Sequence, residues 1–468
     1  MQLRRKNLNP EMLAIIWSLA WPTMLEQLMQ TAVQYIDTAM VGVLGTSATA
    51  AVGATSTVNW LVNSSIGALG VGFLSFIARA RGAGDERAAR RAAGQVVLLT
   101  LVVGTTVMAA TLSLSGAIPR WMQVKPELRA LASRYFFVLY LPMLPRAASI
   151  LFGTVLRAAG DTRTPMKIGV LMNLINVVLN FLLIYETRPL KLFGQTVMLS
   201  GRELLIPGAG MGVVGAAAAS AVAYTVGGVL ITVVLWRHRE ISPRGQSLRP
   251  DGEILRPCLR VALPNMLQRF GTSFGYVGFA SMINSLGEVA TAAHTIANTV
   301  ESAFYIPGFG MQVAAATLSG NAYGARDEKR MKDLAAMFIP LEIGLMILSG
   351  GLLFLGAPGL MQLFSRSAAV IALGSTVLRM VAVSEPFYGF SIIVEGLMQG
   401  VGKTREPFLY NITGMWGVRI VGTFLCTQLL GLGLISAWAC MIAHNLLVFC
   451  LFLRCFRQGR WDPLRTEA

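Results

Sequence analysis

Twelve long apolar stretches, separated by short polar ones, make up nearly the whole chain. They run near 14–42, 49–79, 90–117, 128–157, 164–185 and 211–236, then near 256–285, 290–322, 333–357, 370–399, 406–430 and 432–456. Each is long enough to cross the hydrocarbon of a bilayer as a helix. The pattern predicts an all-α membrane protein with twelve transmembrane helices.

The pattern repeats. Pro22 and Pro264, the Leu44-Gly45 and Leu286-Gly287 turns, Gly82 and Gly324, Asp85-Glu86 and Asp327-Glu328, Gly160 and Gly402, and Pro165 and Pro407 all share one offset of 242 residues. The chain therefore divides into a six-helix lobe over 1–237, a linker over 238–255 and a second six-helix lobe over 256–468. With six spans per half, both halves enter the membrane from the same side, a parallel repeat of the kind found in secondary transporters. Loop 186–210 is extra to the first half, and its core around Ser200-Gly201 alternates in a way that fits either a short hairpin or an irregular cap. The linker, rich in Pro, Gly and charge, is expected to let the halves move against each other.

Composition agrees with the pattern: 54% of residues are hydrophobic and 13% charged. The formal charge of +16 raises the question of nucleic acid, but most Lys and Arg sit in the termini and in every second loop. That placement is the positive-inside signature, so no nucleic-acid partner is expected. It puts both termini in the cytoplasm of a multi-pass plasma (inner) membrane protein, expected as a monomer in the lipid bilayer. The five cysteines lack metal-ligand spacing, the Gly-rich pieces lack the ending of a phosphate loop, and no nucleophilic or metal cluster is apparent. Neither an enzyme nor a metal protein is indicated, and no cofactor beyond a coupling ion.

Polar residues inside the apolar stretches carry the candidate chemistry. At about 100° per residue, Glu26, Gln30, Gln34 and Asp37 fall on one face of the first helix. A charge at the bilayer centre costs roughly 3 kcal/mol on insertion scales, so this stripe is expected to face a cavity or the bundle interior. Asn173, Asn176 and Asn180 line one face of the fifth stretch, and Ser56, Asn59 and Asn63 one face of the second. Asp37 with Asn176 and Asn180 offers a carboxylate plus amide carbonyls for a proton or Na⁺. In the second half His294, Asn298, Glu301 and Tyr305 share a face, as do Tyr388, Ser391, Glu395 and Gln399. These acids have no acidic counterpart 242 residues earlier, which assigns the lobes different jobs. Substrate binding is expected at Glu301, Glu395, His294, Asn298, Tyr305, Tyr388 and Asn59. His294 alone reads as a bond between helices, and Arg379 and Arg419 as neutralising Glu395, Glu385 or Glu342.

Together these residues resemble a known family. Ile36-Asp37-Thr38-Ala39-Met40-Val41-Gly42, the AVGATS of 51–56, the LRAAGDTRTP of 156–165, PGAGMGVVGAA after the long loop and AAHTIANTVESAFYIPGFG in the second half are similar to the multidrug and toxic compound extrusion (MATE) family. The resemblance covers nearly the whole chain. It implies a cation-coupled antiporter, using H⁺ or Na⁺, that exports organic cations and other small amphipathic molecules by rocking two lobes around a central cavity. It also implies that Asp37 is the coupling carboxylate, supported by Asn176, Asn180 and Gln34. Many DinF-like members carry Asp where Asn180 stands, and the seventh-helix acid of NorM-like sodium sites is replaced here by Thr272. The alternatives are a flippase of lipid-linked sugars, which needs a cationic cavity for pyrophosphate, and a membrane scaffold without transport.

Overall fold

The computed structural model describes residues 10–466 apart from 123, 190, 193–194, 197, 200–201 and 204. A few further side chains, that of Ser56 among them, lie outside the described residues, as do Arg4, Arg5 and Lys6 and the Ser200-Gly201 tip. Twelve helical segments follow one another as the hydropathy predicts. The first six are α1 (Pro10–Gly42), α2 (Thr46–Gly82), α3 (Glu86–Ser113), α4 in two arms (Pro126–Tyr140 and Met143–Ala158), α5 (Arg163–Leu183) and α6 (Gly212–Arg237). The second six are α7 (Gly252–Asn284), α8 in two arms (Glu288–Phe304 and Ile306–Gly324), α9 (Glu328–Phe364), α10 in two arms (Ala368–Ala382 and Glu385–Gly400), α11 (405–429) and α12 (Leu434–Arg457). Seven of these are long and apolar enough to cross a membrane, and nine when each bent pair is taken as one span. The remaining three are α7, interrupted by Asn265, Gln268 and Arg269, α8, divided at Tyr305, and α11, half of which is π-helical.

The repeat extends to the details of the backbone. The arms of α4 and of α10, its counterpart, each meet at 51°. Proline enforces both breaks, Pro142 at the one and Pro386 in the first turn after the other. Asp85 and Asp327 both cap the following helix, accepting from Ala88 N at 2.9 Å and Arg330 N at 2.8 Å, again 242 residues apart. Gly45 and Gly287 take φ of 109° and 99°, and Gly160 and Gly402 take 85° and 88°, at matching turns.

A large core, built on Phe73, Phe136, Tyr140 and Phe152, and two small clusters around Val41 and Ala51 fill the first half. Two fill the second: Phe338, Phe390 and Phe452 centre one, and Phe279, Leu378 and Trp438 the other. Ile16, Leu19 and Ala20 of α1 cross into the former of these. Outward faces are apolar as well; Leu348, Leu352 and Leu355 of α9 are mostly exposed, Leu355 at 78%. A surface of that kind is suited to lipid rather than water.

The extra loop of the first half is a set of short antiparallel ladders. β1 (Glu186–Pro189) pairs with β6 (Leu205–Ala209), β2 (Lys191–Leu192) with β3 (Gln195–Thr196), and β4 (Met198–Leu199) with β5 (Arg202–Glu203). The hairpin is thus the outcome, not the irregular cap.

Candidate functional site

The polar faces of α1 and α5 meet. Asn180, fully buried, donates through Nδ2 to the Asp37 carboxylate at 2.5 Å and to Asn176 Oδ1 at 3.0 Å. Asn176 Nδ2 donates in turn to Ser220 Oγ of α6 at 2.9 Å. The spacing that put Asn176 and Asn180 one turn apart makes this relay possible, since i and i+4 side chains lie side by side. Two details depart from expectation. The amide group turned to the acid is N–H₂, not carbonyl, and Asn180 Oδ1 has no partner among the described residues. Gln34 is exposed and makes no bond to Asp37 among the described residues. Beside this site Ile36, Met40, Val43, Val177, Phe181 and Tyr185 line an apolar groove of about 620 Å³.

Lower on α1, Glu26 is not part of the Asp37 site. Arg157 of α4 grips both its carboxylate oxygens at 2.6 Å, and Glu26 is 7% exposed. This partner was invisible in the helix stripe because it lies 131 residues away. A fully buried guanidinium, that of Arg146 in α4, donates from Nε to Asn63 at 3.1 Å and from Nη2 to Asn59, and lies 4.6 Å from the Tyr224 ring. Asn59 is therefore occupied with holding Arg146 in the first half, away from the substrate group expected in the second.

In the second half the two expected acids occupy separate clusters. Glu395 accepts from Gln268 at 3.0 Å, Gln399 at 3.1 Å and Asn411 at 3.2 Å. Three amide donors satisfy it internally. Glu301 accepts from the Tyr305 hydroxyl one turn on, and the Tyr305 ring packs 5.0 Å from that of Tyr388. Of the predicted stripe, Asn298 is exposed. His294 does not hydrogen-bond between helices through Nδ1; its ring stands edge-on to Phe279 of α7 and Trp438 of α12, at 5.5 and 5.9 Å. Arg379 and Arg419 neutralise none of the acids: Arg379 is exposed against Phe354, and Arg419 is buried against Tyr276 and Phe279. Two further acids flank the α10 break. Glu342 and Glu385 are buried and their carboxyl oxygens have no partner among the described residues. Glu342 fits because Gly308 and Gly389 face it, where a β-carbon would crowd its side chain.

The halves close on each other at the end carrying the basic loops. Gly72 lies against the Cys258 carbonyl, Gly82 against that of Asn321 and Gly324 against that of Arg79. Ser75 donates to Gly400 O at 2.9 Å across the same seam. Small residues let backbones approach this closely. Here too the linker is not slack. Arg81 pairs with Glu240 and Arg91 with Asp251, both at 2.5 Å, while Gln95 donates to Arg249 O at 2.9 Å and accepts from Asp251 N at 3.0 Å. The Arg91 guanidinium holds the Asp251 carboxyl below the usual carboxylate range. Segment 239–251 is clamped to α2 and α3 through side chains that the linker's composition did not announce.

Comparison with known proteins places this geometry. A family model, MatE, matches residues 22–182 and 264–425, one match in each half. The protein named "Probable multidrug resistance protein NorM" of Thermotoga maritima is 28% identical over 97% of this chain and 94% of its own. A protein of the same name from Bradyrhizobium diazoefficiens is 27% identical over 90% and 88%. Among solved structures, an outward-facing multidrug resistance MATE transporter of the MOP superfamily superposes with a TM-score of 0.86 at 26% identity, covering 97% of this chain and 96% of its own. A MOP superfamily transporter from Pyrococcus furiosus, described as having a binding pocket of reverse polarity, superposes at 0.85 with 26% identity over 96% of both chains.

Proposed function

The chain belongs to the MatE family of multidrug and toxic compound extrusion transporters, and from that premise we propose that it exports organic cations and other amphipathic compounds in exchange for an inward-moving cation. It is a multi-pass membrane transporter and not an enzyme. The observation that carries the exchange reading is the Asp37–Asn180–Asn176–Ser220 relay, an acid inside a helix bundle held by a donor and, among the described residues, paired with no basic side chain. Intramembrane acids are expensive and are kept where an ion moves.

The proton is the favoured coupling ion. Na⁺ needs several oxygen ligands at once, whereas here Asn180 turns its N–H₂ to Asp37 and the Asn176 carbonyl already accepts from Asn180, which leaves the Asn180 carbonyl as the one uncommitted amide oxygen of the pair. Protonating Asp37 converts a charge-assisted bond into a weaker neutral one, which loosens α1 from α5. The uninterrupted α1 contains Pro22, a point at which it can bend. Closure at the basic end fits a state open on the opposite side, and the positive-inside rule makes the basic end cytoplasmic, with both termini. In the second half Glu301, with the Tyr305 and Tyr388 rings beside it, is suited to meet a cationic substrate.

Purified protein in proteoliposomes, loaded with a cationic dye and given separately imposed proton and sodium gradients, tests this reading. Efflux driven by the proton gradient is expected. Efflux driven by sodium alone would reassign the ion, and dye movement indifferent to both gradients would sink the exchange reading.

A further inference from the structure

The repeat places opposite chemistry at matching positions of the two halves. Where α1 has Asp37, α7 has Phe279; where α5 has Asn176, α11 has Val418, followed at once by Arg419. The guanidinium carbon of Arg419 lies 4.2 Å from the Phe279 ring centroid and 4.7 Å from that of Tyr276. The acid-and-amide site of the first half is thus matched by an arene-and-guanidinium site in the second. Arg419 stands in the π-helical stretch Thr413–Ile420, a distortion often found at functional sites.

No acceptor among the described residues meets this guanidinium. Arg419 is 3% exposed, forms no ion pair and no hydrogen bond among the described residues, and its Nε has no partner. Thr423 Oγ1 and the Nδ1 atoms of His294 and His444, which can accept, are buried and bond to nothing among the described residues, so none of them serves the guanidinium; Trp438 Nε1 is a further buried donor without a partner there. Two ring faces stabilise a guanidinium but accept none of its N–H groups in its plane. Leaving a buried charged donor unsatisfied is costly, so the arrangement suits a state in which an acceptor is supplied. Glu301 lies within electrostatic reach of Arg419, but its carboxyl is engaged by Tyr305 and does not pair with it. Tyr276, 46% exposed, forms the rim, so an aromatic ligand could stack there as its anionic group reaches Arg419.

We propose that Arg419 is the centre of an anion subsite in the second half, which takes the carboxylate of an aromatic amphiphile stacked on Tyr276, with the buried Phe279 ring backing the guanidinium. The planar fork of Arg matches a carboxylate with two parallel hydrogen bonds. With Glu301 nearby for an ammonium, the pocket then selects zwitterionic substrates over simple cations. This rests on the export reading for the substrate path, but not on the identity of the coupling ion.

The test is equilibrium binding of two dyes to the full-length protein in detergent, followed by fluorescence polarisation. Tetramethylrhodamine carries a carboxylate beside its cationic ring system, and its methyl ester is the same dye without the negative charge. Wild type is expected to bind the free acid about tenfold more tightly than the ester. Arg419→Gln should weaken the acid by that same factor of about ten, a 1.4 kcal/mol effect, and leave the ester within about twofold. Arg419→Lys, which keeps the charge without the fork, should fall between and serves if the Gln variant does not fold. Equal affinities for the two dyes in wild type, parallel loss of both in the variants, or binding of neither dye would overturn the anion subsite. Arg419-dependent binding of the acid with no binding or export of the ester would uphold it while overturning the cation-export reading.

Discussion

Gly82 of α2 and Gly324 of α8 face each other's helices reciprocally: a β-carbon on Gly82 would overlap the Asn321 carbonyl, and one on Gly324 the Arg79 carbonyl. Residues 79 and 321, like 82 and 324, are repeat partners. The contact therefore obeys the pseudo-two-fold of the fold, and it is the tightest seam between the halves at the basic end. Gly324→Val should hold that seam apart because the neighbouring atoms are backbone and cannot turn away. Spin labels at Ala83→Cys and Ala325→Cys should report longer distances in Gly324→Val than in its parent, with slower efflux. An unchanged distance distribution would mean that the seam has room to spare.

Asp37→Asn keeps the shape of the acid and an oxygen for Asn180 to donate to, while removing the proton-carrying group. It should insert and fold normally, bind a cationic dye, and lose gradient-driven efflux to the level of empty liposomes. Export at the parental rate would return Asp37 to a packing role.

Glu26 and Arg157 predict a stability asymmetry. Their repeat partners are Gln268 and Gln399, a neutral pair around Glu395. Glu26→Gln leaves a largely buried guanidinium without its counter-ion, a loss of at most the roughly 3 to 5 kcal/mol that breaking a fully buried pair costs. The double variant Glu26→Gln/Arg157→Gln copies the second half and should recover most of it. Melting in detergent checks the order: parent, then double, then single; a double variant no better than the single one would show that the pair acts through more than its mutual charge.

The linker clamp predicts a pH dependence. Because the folded Asp251 carboxyl is held below its ordinary value of about 3.9, the clamp is fully present above that value and is lost as pH falls through the depressed one. Both partners are solvent-accessible, so the contribution is small. A nitroxide at Arg244→Cys should stay immobile from neutral pH to about 4 and loosen below, whereas Arg91→Ala should loosen it already at neutral pH. Mobility equal in both proteins at neutral pH would place the hold elsewhere, with Arg81–Glu240 and Gln95.

Local signals in the chain determined the membrane class, the twelve helices, the parallel repeat with its matched Asp85 and Asp327, and the polar faces of α1 and α5. Each depends on residues a few positions apart or on a constant offset, so periodicity and register expose it. What met those faces was decided only by tertiary structure. Arg157 reaches Glu26 because α4 bends, Asn180 presents its N–H₂ because Asn176 and Ser220 take up the rest of the relay, and Glu301 and Glu395 part because different helices bring Tyr305 to one and Gln268 and Asn411 to the other. Arg419 looked like a neutraliser of nearby acids until α7 placed two aromatic rings against it. A helix stripe fixes the direction in which a side chain points, whereas crossing angles and breaks between helices fix what it finds there, and those depend on the packing of the whole bundle.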